Sequence, residues 1–504
     1  MDKTIPVIDL FAGPGGLGEG FSSFNEGKTF KILVSAEMED SAFNTLKLRA
    51  FYRELKHKSK QDLSHYYKFC EGIEKLPFNE RTKQFWDMAC KEAQQLTLGE
   101  KSDNKKLYAL LTKNKINEKK SWVLIGGPPC QAYSVIGRSV NQAKKNYSAE
   151  KDNRHFLYKE YLKVIEQCQP KVFVMENVKG ILSSKINGGK IFHTILRDLA
   201  NPSSNRESKL KYKIYSLTTK TFFEFGMNIE KINLQDFIVK SEDYGIPQAR
   251  HRVILLGIRS DIKKNPSVLK KVNKRLNVAD VISDLPPLRS KLTKEKDGDI
   301  EWLNVFKANI SSLIVEASKD KNYINLVEKL KDYKNINGIN AQPIAHNNLH
   351  KKIRAWFHDK HLKVVLNHET RGHISADLKR YLYAACFASA YLRSPNGHKE
   401  FQLKGLRPNH KNWESGKFSD RFRVQINNAP ATTITSHISK DGHNFIHPDP
   451  NQCRSLTVRE AARIQTFPDN YFFQGTRTQQ FHQVGNAVPP LLAFQIAEIV
   501  NEII

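Results

Sequence analysis

The sequence predicts an α/β fold: a doubly wound, mostly parallel sheet with a second, basic domain. Three observations carry this. Short apolar runs alternate with helix-length stretches through the first half of the chain, the pattern of parallel strands joined by crossover helices. The first such run leads directly into a glycine turn, Gly13-Pro14-Gly15-Gly16-Leu17-Gly18. The chain has 504 residues and a formal net charge of +28, which allows more than one domain and points to a polyanionic partner, nucleic acid being the commonest.

In chain order, Pro6 to Leu10 reads as the first strand, with a helix from about Leu17. Lys31 to Ala36 reads as the second strand and ends at the acid Glu37. Residues 50–118 are rich in charge and aromatics and read as a helical insertion on the rim of the sheet. Trp122 to Ile125 reads as a buried strand, stopped by Gly126-Gly127-Pro128-Pro129. Cys130 then stands in a stiff turn at a strand's carboxyl end, where an α/β enzyme places a nucleophile. Val172 to Met175, Lys213 to Leu217 and Val253 to Ile258 supply the remaining strands. Asp284-Leu-Pro-Pro287 reads as a linker. A basic, histidine-rich stretch follows, and Asn486 to Ile504 reads as an apolar helix returning to the first domain.

The six cysteines contain no Cys-x-x-Cys pair, which argues for a reducing compartment and against a disulfide framework. His346 and His350 have helical ligand spacing, but Asn347 and Asn348 weaken the helix and no cysteine pair completes a site, so no metal is expected. The amino terminus lacks a signal-peptide shape and no apolar run is long enough to span a membrane, so a cytoplasmic protein is expected.

The glycine turn alone leaves the cofactor open. Gly-x-Gly-x-x-Gly followed by Glu37 suits a dinucleotide, yet such a turn admits any adenosine cofactor, and an acid ending the next strand holds any ribose diol. Pro14 removes one backbone donor, and Asp9 would repel phosphate and suit a cation; both disfavour a pyrophosphate.

Five segments then occur in a fixed order: Asp9-Leu-Phe-Ala-Gly13-Pro-Gly-Gly, Pro128-Pro-Cys130-Gln, Glu176-Asn-Val178, Gln248-Ala-Arg250-His-Arg252 and Gln483-Val-Gly-Asn486-Ala-Val. The series resembles that of bacterial DNA (cytosine-5) methyltransferases of the restriction–modification type. Arg454 to Pro468 resembles the segment that follows the target-recognition region in that family. The resemblance covers the first domain and the carboxyl terminus, but not residues 50–118 or most of 289–425.

The resemblance implies the fold of S-adenosylmethionine-dependent methyltransferases. It divides the chain into a catalytic, cofactor-binding domain (1–285), a target-recognition domain (286–452), a connecting motif and hinge (453–485) and a returning helix (486–504). Carbon 5 of cytosine is too poor a nucleophile to be methylated unaided, and a thiolate added at carbon 6 makes it enamine-like. Cys130 matches the family's nucleophile, and Glu176 its acid at ring nitrogen 3. Arg250 and Arg252, within the fourth of these segments, project to one side, and their guanidinium forks suit the base carbonyl and the target phosphate. Phe11, Ala12, Gly13, Gly15, Gly16, Leu17, Pro128, Asn486 and Ala487 match the cofactor site, with Glu37 on the ribose. Met38 stands where the family commonly has a tryptophan against adenine, and Leu98-Gly99-Glu100 is the nearest counterpart of the motif for the adenine amino group.

Tyr133 to Asp152 resembles the mobile loop that closes over an extruded cytosine. The implied partner is double-stranded DNA, met by a monomer, with a cognate restriction endonuclease acting independently. Arg354 to His358 and Asn367 to His373 are candidate DNA contacts. An RNA cytosine-5 methyltransferase and a DNA-binding repressor are the alternatives. The long basic second domain favours DNA over RNA, and Cys130 with Glu176 favours an enzyme over a repressor.

Overall fold

A computed structural model describes residues 4–118, 121–129, 157–186, 189–203, 211–317, 319–332, 338, 351–409, 413 and 421–504. Its centre is a nine-stranded sheet. The strands are β1 (Ile5–Leu10), β2 (Phe30–Glu37), β3 (Ala93–Gln95), β4 (Val123–Gly126), β5 (Val172–Val178), β6 (Tyr212–Tyr215), β7 (Phe222–Phe223), β8 (Ile238–Lys240) and β9 (His251–Arg259). They lie in the order β3-β2-β1-β4-β5-β9-β6-β7, with β8 also paired to β9.

The first five are parallel. β9 runs antiparallel to β5, β6 and β8. The chain passes from β1 outward to β2 and later returns to β4 on the other side of β1. The carboxyl ends of β1 and β4 therefore flank a topological switch point, where α/β proteins bind ligands.

Alternation along the strands explains how both faces are buried. Ile8, Leu124, Phe173, Met175, Val253 and Leu255 join one apolar cluster. Val7, Val123, Ile125, Val172, Val174, Ile254 and Leu256 join another on the opposite face. The second cluster is covered by α1 (Gly16–Ser23) and by the terminal helix Pro490–Ile503.

Residues 40–113 form α2 (Asp40–Lys58), α3 (Leu63–Cys70), α4 (Lys83–Glu92) and α5 (Lys101–Lys113), much as the composition of the insertion predicts. One element departs from that expectation. Ala93–Gln95 is β3, paired to Ser35–Glu37 at the edge of the sheet. Three residues, two of them glutamine, carry no period-two apolar signal; pairing to β2 makes this strand. Two helices, α6 (Tyr158–Cys168) and α7 (Ile191–Ala200), complete the first face.

Beyond Pro287, α8 (Asp299–Glu316), α9 (Lys321–Glu328) and α10 (Ser375–Tyr391) share a separate apolar cluster running from Leu292 to Cys453. A further cluster joins residues 278–285 and 353–365 to α11 (Val458–Ile464) and α12 (Arg477–Asn486). The expected helix over Asn486–Ile504 is broken. α12 ends at Asn486, and α13 (Pro490–Ile503) starts after Ala487–Pro489. Two consecutive prolines cannot continue a helix, but Pro490 is compatible with a first turn. No described helix is long and apolar enough to cross a membrane.

Candidate active site

The turn after β1 is built on left-handed residues: Phe11 at φ 55°, Gly13 at 57° and Gly15 at 93°. Phe11 is the costly one, since a side chain in that region is disfavoured by about 1–2 kcal/mol. The glycines have different tasks. A Cβ on Gly13 would meet nothing within 4 Å, so its backbone faces open space. A Cβ on Gly15 would approach Leu46 Cδ2 at 2.8 Å, and one on Gly16 would meet Val488 O at 2.1 Å. Gly13 therefore leaves room for a ligand, and Gly16 leaves room for the segment before α13.

Glu37 ends β2 beside this turn, with its carboxylate held by three backbone N–H groups. Gly13 N donates to Oε2 at 2.8 Å, and Met38 N and Glu39 N each donate to Oε1 at 2.9 Å. Burial raises its pKa, while these N–H groups pull the other way. Met38 is 55% exposed beside it, its thioether free to cover a flat ring. β3 brings the next part of the rim: Leu96 N donates to Glu37 O at 3.0 Å, and Gln95 Nε2 to Met38 O at 3.3 Å. Leu98-Gly99-Glu100 therefore follows directly at the edge beside Met38. Open backbone at Gly13, a fixed carboxylate and an exposed thioether suit a ribose and an adenine and repel a phosphate. These residues fit S-adenosylmethionine.

Asp9 departs from expectation. It is fully buried, and a Cβ on Gly18 would lie only 2.9 Å from its Oδ2. Burial raises its pKa well above the carboxylate range, favouring the neutral acid. It packs beneath α1 instead of offering a charge to a cationic ligand.

The second half of the site lies at the ends of β4, β5 and β9. Gly127 follows β4, and a Cβ there would lie 3.2 Å from Glu176 Oε2. Buried Asn177 donates from Nδ2 to Pro128 O at 3.3 Å, tying the proline turn to β5. Glu176 and Arg252 point to the same face from adjacent antiparallel strands, and Arg252 Nε lies 3.1 Å from Glu176 Oε1. Arg252 Nη1 also donates to His251 O at 2.9 Å. Burial lowers the Arg252 pKa, and Glu176 opposes that shift.

Arg250 sits behind them and is only 2% exposed. Its Nη1 donates to Ile434 O at 2.9 Å and Gly485 O at 3.2 Å. Its pKa falls well below the usual arginine value, through burial first and then the neighbouring Arg252. The strap 434–436, which carries Ile434, is also gripped by Gln248, whose Oε1 accepts Ile434 N at 2.7 Å and whose Nε2 donates to Gln465 Oε1 at 2.9 Å. Gln465 in turn donates to Val484 O at 2.6 Å and Ala487 O at 3.2 Å, shaping the bend at Asn486 and Ala487. Asn486 is exposed there and Ala487 is buried.

Thus the structure brings Phe11, Ala12, Gly13, Glu37 and Met38 to one rim, and Pro128, Glu176 and Arg252 to the neighbouring one. Gly15, Gly16 and Leu17 lie inward at the start of α1. Cys130 and Tyr133 to Asp152 lie outside the described residues, as do His346 and His350. No metal-ligating group of His, Cys, Asp or Glu occurs among the described residues.

Several candidate DNA contacts turn inward. Trp356 Nε1 donates to Thr466 O at 2.7 Å, Asn367 is paired to the backbone of Phe473, and Arg371 covers the Phe481 ring at 4.1 Å. His368 and His373 are buried. Mixed aromatic and basic composition does not separate a DNA-facing surface from a polar core, whereas Arg354 remains exposed. Sequence reasoning also missed Tyr471, whose phenol donates to Pro14 O from 457 residues away. It also missed the packing role of Gln248, whose alternate spacing with Arg250 and Arg252 was the available signal.

A model of the C-5 cytosine-specific DNA methylase family matches residues 70–502. A type II methyltransferase of Bacillus paralicheniformis is 33% identical over 528 residues, covering 99% of each chain. A DNA (cytosine-5-)-methyltransferase of Aeropyrum pernix is 26% identical over 406 residues, covering 76% of this chain and 81% of its own. Among solved structures, one described as a DNA modification methyltransferase from a prophage of E. coli superposes with a TM-score of 0.53 at 19% identity, covering 99% of both chains, a likeness of fold. The chain belongs to the C-5 cytosine-specific DNA methylase family and is an S-adenosylmethionine-dependent DNA (cytosine-5-)-methyltransferase.

Proposed function

We propose that the enzyme methylates carbon 5 of one cytosine within a short DNA sequence, through a covalent adduct on Cys130 and with the target base turned out of the duplex. The observation that carries this reading is the convergence of Glu176 and Arg252 on the Gly127–Pro128 turn, directly before Pro129-Cys130. S-adenosylmethionine, when bound, supplies the electrophilic methyl group.

The chain's own residues do the rest. The Cys130 thiolate adds to carbon 6 of the base, and electrons move toward ring nitrogen 3. Glu176 meets that nitrogen and supplies the proton that neutralises it. Arg252 offers its fork to the base carbonyl, while Arg250 holds the strap 434–436 in place behind it. The target carbon is inaccessible inside the stack, so the base is extruded at a cost of about a few kcal/mol. Tyr133 to Asp152 matches the family's loop for covering it. Carbon 5 takes the methyl group, water takes the carbon 5 proton, and the carbon 6–sulfur bond breaks to free the Cys130 thiolate.

Residues 286–452 select the sequence. Acting as a cytoplasmic monomer, the enzyme protects DNA from a restriction endonuclease that works independently; the type II names of its relatives support that role.

The test is base-resolution methylation mapping of plasmid DNA from cells expressing the chain, beside a Cys130→Ala control. 5-Methylcytosine at one short motif, absent from the control, is the expected outcome. Methylation that persists in the control would remove the covalent mechanism.

A further inference from the structure

The turn from Phe11 to Leu17 is not shaped by its own residues alone. The Tyr471 phenol donates to the carbonyl oxygen of Pro14, between the two left-handed glycines. A Cβ on Gly15 would come within 2.9 Å of that phenol oxygen, so glycine leaves the room this contact needs.

Tyr471 is itself held firmly. Its carbonyl accepts Arg459 Nη2 at 2.6 Å, and its N–H donates to Pro468 O at 3.0 Å. The ring packs on Phe467 and Phe473, with centroids 4.8 and 5.4 Å away, and the Arg49 guanidinium lies 4.7 Å from its centre. That same Arg49 pairs with Glu19 of α1 at 2.5 Å and donates to Asn470 Oδ1 at 2.9 Å. Burial raises the phenol's pKa, so the hydroxyl stays a donor.

A turn carrying Gly13 and Gly15, with no N–H on the proline between them, has much freedom to lose when a ligand binds. We infer that Tyr471 is a positioning residue for the cofactor: its hydroxyl fixes the Pro14 carbonyl and so holds the turn ready for S-adenosylmethionine. The role rests on assigning this turn to the cofactor. It makes cofactor affinity depend on the segment after α11, far from the sheet in sequence.

Tyr471→Phe keeps the ring and removes only the donor. Calorimetry with S-adenosylmethionine alone, without DNA, should show binding weakened by about five- to tenfold, the worth of one buried hydrogen bond. The KM for the cofactor should rise by the same factor, with kcat at saturation and DNA affinity unchanged. In the free protein, amide hydrogen exchange at Ala12 to Gly16 should quicken. Glu37→Ala is measured alongside. Unchanged affinity and exchange in Tyr471→Phe, with Glu37→Ala impaired, would overturn the positioning role alone. Unchanged affinity in Glu37→Ala would overturn the assignment of the turn and this role with it. Equal losses in cofactor affinity, DNA affinity and kcat would make Tyr471 a general structural residue and also overturn the role.

Discussion

Arg252 Nε lies 3.1 Å from Glu176 Oε1, joining the two side chains that β9 and β5 present to one end of the sheet. Strand register produces this pair. Arg252 opposes Val178 and Ile254 opposes Glu176, so the two charged residues are diagonal neighbours on a single face. In the proposed reaction, the target base would meet a carboxyl and a guanidinium already held side by side.

Glu176→Gln should therefore damage chemistry more than binding. The amide keeps the shape and the place beside Arg252, but cannot pass a proton to the ring. Single-turnover methylation should slow by about a hundredfold or more, with DNA affinity changed little. Equal losses in rate and affinity would recast Glu176 as a structural residue.

Arg250 should behave differently from its neighbour two residues on. Its guanidinium serves Ile434 O and Gly485 O, both buried contacts between separate parts of the chain. Arg250→Ala strands these carbonyls and should cost about 3 kcal/mol of stability. Arg252→Ala should cost less stability and more turnover. Denaturant unfolding of the two variants, beside their kcat values, separates the roles; equal stabilities would refute this division.

The contrast shows what was legible in the sequence. Six of the nine strands were, because Val, Ile and Leu runs buried on both faces leave a strong local signal, whereas the short β7 and β8 were not. The positions of the proposed rims were legible too, since Glu37 ends β2, Pro128 follows β4 and Glu176 lies two residues before the end of β5. The direction in which Arg250 points was not, because it depends on Ile434 and Gly485, and no local pattern encodes contacts at that separation. Tyr471 escaped for the same reason. β3 escaped because Ala-Gln-Gln acquires its strand only by lying against β2.

Acid should weaken the fold through buried histidines. His368 lies within 2.9 Å of both the Thr457 hydroxyl and Pro286 O, an arrangement that suits the neutral ring, and burial lowers its pKa to about 4. Burial likewise lowers His373 to about 3. Unfolded, each takes up a proton near pH 6.5. Between that pH and the folded values the unfolded chain binds more protons, so stability rises with pH. The contribution is complete above about pH 6.5 and is lost as pH falls through that window. Glu460, held low against its burial by Arg454 and His447, adds loss in the same direction below the ordinary glutamate range. Chemical denaturation from pH 7.5 to 4.5 should show this slope, and His368→Asn should flatten it. A slope unchanged in that variant would dismiss His368 as a source.

The two glycines of the turn offer the sharpest separation of binding from folding. Gly13→Ala places a methyl group where nothing lies within 4 Å, so its cost to the fold is the left-handed backbone alone, about 1–2 kcal/mol. That methyl nonetheless occupies the space beside the Glu37 carboxylate, and affinity for S-adenosylmethionine should fall more than tenfold. Gly16→Ala drives a methyl group to 2.1 Å from Val488 O. α1 and the segment leading into α13 must then part, and this overpacking should cost up to about 3 kcal/mol. Calorimetric binding and thermal unfolding of both variants should give opposite rankings: Gly13→Ala the weaker binder, Gly16→Ala the less stable protein. If Gly13→Ala bound the cofactor normally, the open space before Gly13 would not be the place where it sits.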